Sequence, residues 1–164
     1  SRTHIRQYQR YMNDIEEVVK DINATFGTEE WTPVTMFIEN NYTQAIAGMK
    51  LYDVLLVNTI IEGMNLVAKE YAASRFDEDG VLILSPFTGS ALELTDALIV
   101  NPYATEQFAD AICDAVEMPL ESRRARMINM RSIVRENNIY KWAARMLVDL
   151  MQGSRRSRRP MAGR

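Results

Sequence analysis

Two all-apolar tetrads, Val54-Leu55-Leu56-Val57 and Val81-Leu82-Ile83-Leu84, constrain the fold more than any other feature. Neither shows the in-out alternation of a half-exposed strand, so each reads as a short strand buried on both faces. Each is followed by a loop and then by a helix start. Strands alternating with helices imply an α/β fold, a parallel sheet with helices on both faces. Ligands of such sheets lie beyond the carboxyl ends of the strands. The loops at 58–65 and 85–90 are therefore the places to look for chemistry.

The first loop carries more. Asn58–Glu70 reads N-T-I-I-E-G-M-N-L-V-A-K-E, with Gly63 at the junction and a helix over Leu66–Ser74. A strand, a loop, a glycine and a helix start offer free backbone N–H groups to an anion. The helix dipole adds about half a positive charge there. Two carboxylates bracket the junction, Glu62 before the helix and Glu70 within it. A carboxylate accepts hydroxyls well because it offers several acceptor sites. A sugar nucleotide fits these parts. Its diphosphate would lie on the N–H groups of Gly63 to Val67, one carboxylate would take sugar hydroxyls and the other ribose hydroxyls. The plain alternative is a helix start whose dipole Glu62 favours and whose Glu70 is solvated, and the pattern alone leaves both open.

Elsewhere the spacing predicts a helix over Tyr8–Ala24 with an apolar stripe of Tyr11, Ile15, Val18, Val19 and Ile22, ended by Gly27. Val34–Ile38 reads as a strand after the Trp31-Thr32-Pro33 turn. Tyr42–Leu51 reads as a helix with Ala45, Ile46 and Met49 inward. Val54–Val57 then reads as the central strand, followed by a helix from Gly63 to about Arg75. The acidic turn Phe76–Gly80 lacks the alternating ligands of a calcium loop and reads as solvated. A short helix through Glu93 and a strand over Ala97–Val100 follow. Thr105 reads as the cap of a helix with the stripe Ala109, Ile112, Cys113 and Val116. Pro119 opens the next helix. Asn137-Asn138 ends it, and Trp142, Met146, Leu147 and Leu150 line a last one.

At 164 residues, with 47% hydrophobic and 25% charged, the chain has the composition of one globular domain. No apolar run approaches a membrane span, so no membrane partner is expected. The net charge of −3 hides an asymmetry. Residues 153–164 hold five arginines and no acid, leaving 14 basic against 22 acidic residues in 1–152, a net of −8. An acidic body argues against nucleic acid, and the basic end reads as a disordered tail. One cysteine makes no internal disulfide, which is compatible with the expected cytoplasmic location. Cys113 reads as core packing rather than a nucleophile. His4, the one histidine, supplies no metal cluster by itself. No acidic metal pair is visible, and neither metal nor other cofactor is expected. A homo-oligomer is left open.

The block Glu62-Gly63-Met64-Asn65-Leu66-Val67-Ala68-Lys69-Glu70 resembles the D-G-M-N-L-V-A-K-E block of trehalose-6-phosphate synthases. Ser1-Arg2, Ile22-Asn23, Phe26-Gly27, Trp31-Thr32-Pro33, Asp53-Val54, Gly80–Ser85, Glu93-Leu94 and Val100-Asn101-Pro102 also fall where that family has them, to about Leu150. The resemblance implies a retaining glycosyltransferase moving glucose from UDP-glucose to glucose 6-phosphate, giving trehalose 6-phosphate and UDP. A glucosylglycerol-phosphate synthase using glycerol 3-phosphate, or a non-catalytic homologue that binds sugar nucleotide, stays open beside it. It implies a Rossmann-like sheet forming the donor-nucleotide-binding C-terminal half of a GT-B fold over 1–152, with the N-terminal acceptor domain outside this chain.

Carried over position by position, the resemblance puts Glu62, Gly63, Met64 and Asn65 on the donor sugar. Leu66 and Val67 fall on the diphosphate, Glu70 on the ribose hydroxyls and Arg2 on the acceptor phosphate. It assigns no catalytic side chain, because in that family the leaving phosphate acts as base. The chain departs from the usual T-P-L-R-D-G-M-N at Asn58-Thr59-Ile60-Ile61-Glu62, where glutamate stands for aspartate, and at Pro86 and Thr88.

Overall fold

The computed structural model describes residues 6–157. The chain divides into two compact units, Ser1–Asn41 and Tyr42–Arg164.

The described part of the first unit is one helix and an extended segment. Helix α1 spans Arg6–Phe26. It ends where the Gly27 N–H donates to Asn23 O at 2.9 Å. The strand expected over 34–38 does not form. Asn23 instead occupies the backbone of Val34 from both sides: its Oδ1 accepts the Val34 N–H at 2.8 Å and its Nδ2 donates to Val34 O at 2.9 Å. A side-chain amide thus does for Val34 what a neighbouring strand would do.

The second unit runs α2 (Tyr42–Met49), β1 (Val54–Val57), α3 (Leu66–Ser74), β2 (Val81–Leu84), a 3₁₀ turn at Gly89–Leu92, β3 (Leu98–Ile99), α4 (Thr105–Glu117), α5 (Leu120–Glu136) and α6 (Ile139–Ser157). The strands are parallel and pair in the order β1-β2-β3. Val54 faces Val81, and Ile83 faces Leu98. Among the described residues the middle strand is therefore β2, not Val54–Val57.

All four residues of β2 are buried, which is worth about 1.5–3 kcal/mol for each apolar side chain taken out of water. Alternation along the strand sends them to opposite faces. Leu82 and Leu84 join Met49, Tyr71, Ala72, Met127 and Met130 of α2, α3 and α5, with Leu94 from just after the 3₁₀ turn. Val81 and Ile83 join Ala111 and Ala115 of α4, with Phe108 and Met118 alongside. Helices cover both faces of β2, as its tetrad requires. β1 is less enclosed than its tetrad suggests, with Val57 buried, Val54 and Leu55 half-buried and Leu56 exposed.

That second layer corrects the stripe read for α4. Ala109, Ile112, Cys113 and Val116 are exposed, and Ala111 and Ala115 are buried. Small side chains let the helix backbone approach the sheet closely, so alanines make the contact that bulkier neighbours were expected to make. Cys113 is accordingly a surface thiol. Ala104, not Thr105, stands at the N-cap of α4 and gives no side-chain cap. Pro119 stands at the N-cap of α5 rather than inside it. On α2, Ile46 and Met49 turn inward and Ala45 is exposed. The basic end is helical as far as Ser157, where disorder was expected from residue 153, and 158–164 lie outside the described residues.

The acidic turn is not merely solvated. Arg75 takes Asp77 in a two-pronged contact of 3.0 and 2.8 Å. Arg123 of α5 takes Asp79 at 2.6 and 3.0 Å. The hydrogen bond from Arg123 holds the Asp79 carboxyl below its ordinary value. Arg75 also donates to Tyr52 O at 2.5 Å. The same carbonyl accepts the buried Tyr71 hydroxyl, whose pKa is pushed up to about 12, chiefly by burial. This polar knot ties α3, the turn before β2 and the start of β1 at the end of the sheet away from the loops at 58–65 and 85–90.

Candidate functional site

Those two loops leave the carboxyl ends of β1 and β2 side by side, and they pair with each other. Glu62 and Thr88 form a parallel bridge. The Glu62 N–H donates to Phe87 O at 3.1 Å, and the Gly89 N–H donates to Gly63 O at 3.0 Å. Ser90, fully buried, sets its hydroxyl against both Met64 O and Asn65 O, the latter at 2.9 Å. Thr88 Oγ1 donates to Met64 O at 3.4 Å. Three consecutive carbonyls of the first loop, those of Gly63, Met64 and Asn65, are thus held by the second.

Asn65 starts α3 in the left-handed region, at φ 60° and ψ 88°. Asparagine tolerates this conformation better than most residues. Its Oδ1 accepts the Ala68 N–H at 2.8 Å. Its Nδ2 donates to Glu62 Oε2 at 2.6 Å. One side chain therefore caps the helix and fixes the carboxylate that precedes it. α3 spans Leu66–Ser74, the narrower of the two spans read for it, and does not start at Gly63. Asn65 satisfies Ala68, so the N–H groups of Leu66 and Val67 are the first-turn donors left without a partner inside the helix.

The junction is open. A Cβ placed on Gly63 would meet nothing within 4 Å. Glu62, Gly63, Met64, Leu66 and Val67 are exposed, and Glu70, one turn into α3, is half-buried. Lys69, next to Glu70, is anchored to Glu93 at 2.8 Å, and Glu93 also accepts from Asn137 Nδ2 at 3.1 Å. Thr59 Oγ1, in the first loop, is buried without a hydrogen-bond partner among the described residues.

The structure thus brings Glu62, Gly63, Met64, Asn65, Leu66, Val67 and Glu70 to one strand-to-helix junction. Arg2 and His4 lie outside the described residues. The loop at 85–90 was expected at the site, but no role was read for Gly89 and Ser90 within it. Their grip on the first junction spans some 25 positions of chain, and the small-residue pair was the one available hint. A cleft of about 490 Å³ lies at the other end of α3, beside Ala73 and Arg131. Arg131 is already committed there to Ala72 O and Ala73 O at 3.1 and 3.0 Å, so it closes the helix end rather than completing a site. Among the described residues no helix is long and apolar enough to cross a membrane.

A parallel α/β layer with two interlocked loops at the carboxyl ends of its strands is the fold of the C-terminal half of a GT-B glycosyltransferase. The model of Glycosyltransferase family 20 matches residues 1–152, and the chain belongs to that family. The trehalose-6-phosphate synthase of Klebsiella pneumoniae is 44% identical over 161 residues, covering 96% of this chain and 34% of that protein. The glucosylglycerol-phosphate synthase of Picosynechococcus is 36% identical over 143 residues, covering 87% and 29%. An E. coli structure described as "Trehalose-6-phosphate from E. coli bound with UDP-2-fluoro glucose" superposes with a TM-score of 0.87 at 37% identity, over 93% of this chain and 34% of that one. The alpha,alpha-trehalose-phosphate synthase (UDP-forming) of Burkholderia xenovorans in complex with glucose-6-phosphate gives 0.86 at 37% identity, over 92% and 34%. The chain spans about a third of the length of the relatives it matches.

Proposed function

We propose that this chain supplies the donor half of a retaining glycosyltransferase that moves glucose from UDP-glucose to glucose 6-phosphate, giving trehalose 6-phosphate and UDP. The supporting observation is the open junction at Gly63, with two unpartnered first-turn N–H groups and a carboxylate on either side. The relatives bound with UDP-2-fluoro glucose and with glucose-6-phosphate support this substrate pair.

In this reading the N–H groups of Gly63, Met64 and Asn65 surround the donor glucose, and Glu62 accepts from its hydroxyls. Leu66 and Val67 donate to the diphosphate, and Glu70 accepts from both ribose hydroxyls. Arg2 holds the acceptor phosphate. The bond from glucose C1 to the diphosphate oxygen breaks, and a bond from C1 to the acceptor hydroxyl oxygen forms on the same face. The hydroxyl proton passes to the departing phosphate. The fixed N–H groups and the α3 dipole stabilise the charge that grows on that phosphate. In this reading residues 1–152 make up the donor-binding portion.

One other acceptor has support, because a relative is named a glucosylglycerol-phosphate synthase. The deciding experiment supplies the full-length protein with UDP-glucose and either glucose 6-phosphate or glycerol 3-phosphate, and follows UDP release and the sugar phosphate formed. Trehalose 6-phosphate as the main product upholds the proposal. Glucosylglycerol phosphate selects the other acceptor. Binding of UDP-glucose with neither product would leave a sugar-nucleotide-binding homologue without catalysis.

A further inference from the structure

We propose that Thr88-Gly89-Ser90 is the positioning element of the donor site, aiming the N–H groups of Met64, Asn65 and Leu66 by holding the carbonyls behind them. The inference rests on the donor-site reading above. In a trans peptide the C=O and the following N–H point in opposite directions across one plane, and none of the described peptides is cis. The Gly63 carbonyl accepts from Gly89 N–H, and the Met64 and Asn65 carbonyls lie against the Ser90 hydroxyl. The three N–H groups on those planes, belonging to Met64, Asn65 and Leu66, must then face away from the second loop. A hydroxyl has a single proton and serves one carbonyl at a time. Thr88 Oγ1 provides the second donor, at 3.4 Å from Met64 O.

The residue types suit the task. A Cβ on Gly89 would overlap the Gly63 carbonyl, a backbone atom that cannot swing aside as a side chain can. Only glycine lets the two loops approach this closely. Ser90 is fully buried, so its hydroxyl has no water to return to. Neither residue is placed to touch a ligand. Both act through the first loop, and their effect is confined to groups that the first loop presents.

The test compares two ligands in the full-length protein. UDP uses the diphosphate donors and the ribose contact, whereas uridine uses the ribose contact alone. Inhibition constants for both are measured in wild type, Gly89→Ala and Ser90→Ala. Ser90→Ala frees the Asn65 carbonyl behind the Leu66 N–H, a donor to the diphosphate, and is expected to raise the UDP constant severalfold. In Gly89→Ala the added Cβ meets the Gly63 carbonyl and pushes the first loop as a whole, the Leu66 N–H included, so about tenfold is expected there, with uridine changed less than about twofold in both. If Gly89→Ala does not fold, the same split in Ser90→Ala decides the matter. UDP constants at the wild-type value, or equal losses for both ligands, overturn the positioning role. Wild-type protein with no UDP inhibition at all would instead overturn the donor-site reading beneath it.

Discussion

Asn65 Nδ2 donates to Glu62 Oε2 at 2.6 Å. The same amide, through Oδ1, caps the helix whose first turn faces the junction. The carboxylate and the helix start are therefore one rigid device, and the glutamate's extra methylene is taken up by a defined bond. Glu62→Gln keeps an acceptor for Asn65 but loses the charge that grips sugar hydroxyls. Losing one charge-assisted hydrogen bond predicts a KM for UDP-glucose raised by about tenfold or more. The UDP inhibition constant, which involves no glucose, should stay at its wild-type value. Steady-state kinetics with UDP as product inhibitor reads both quantities.

The cap itself can be separated from the backbone conformation. Asn65→Ala removes the bond to Ala68 and also places a Cβ without polar compensation at φ 60°. Those two losses together predict a destabilisation of about 2 kcal/mol. Asn65→Gly removes the same bond but adopts the left-handed conformation freely, so it should cost no more than about 1 kcal/mol. The order, with alanine worse than glycine, is the sharp expectation, because a simple loss of helix propensity would reverse it. Thermal or urea unfolding of the two variants settles the ranking.

Much of this arrangement was legible because it is local. The second tetrad declared a strand buried on both sides, and Gly63 with the helix after it declared the junction, since helix starts are written in neighbouring residues. The same burial read for the first tetrad fails at Leu56, which is exposed. What was not legible depends on distance. Asn23 replaces a strand for Val34 across eleven positions, and nothing in 34–38 says that a side chain will take its backbone. The alanine face of α4 was misread because large apolar residues look like core until the closeness of the sheet is known. The loop holding Gly89 and Ser90 was placed at the right end of the sheet, but their role was not legible because the carbonyls they hold belong to another loop.

The Asp79–Arg123 pair makes an acid-side prediction. The Asp79 carboxyl is held below the ordinary aspartate value, mainly by the hydrogen bond from Arg123. A depressed carboxylate contributes stability above its unfolded pKa, and this is lost as pH falls through the lower folded value. The contribution should therefore be complete above about pH 4 and diminish progressively as pH falls below it. Both side chains are about a quarter exposed, so solvent screening limits the gain to about 1 kcal/mol. Asp79→Asn should lower stability at pH 7 by that order and unfold with less dependence on pH below 4. Urea midpoints at pH 7 and pH 3 test it, and equal losses at both values would assign the effect to packing instead.

Glu70 provides the complementary cut through the donor site. A carboxylate that accepts both ribose hydroxyls contributes to UDP and to uridine alike, because the pentose is common to the two. Removing it in Glu70→Ala should weaken both by the same factor, about tenfold or more for a pair of bonds to a charged acceptor. The first-loop N–H groups are untouched by this change, so the ratio of the two inhibition constants should hold at its wild-type value. That ratio is what the Gly89 and Ser90 variants should alter. Glu70 lies on α3 and is half-buried, with no shift in its surroundings from the substitution of loop residues expected, so the two effects should multiply when Glu70→Ala and Ser90→Ala are combined. A double variant no weaker than the worse single one would mean that carboxylate and amides serve the same part of the ligand, and the division of the donor between them would fall.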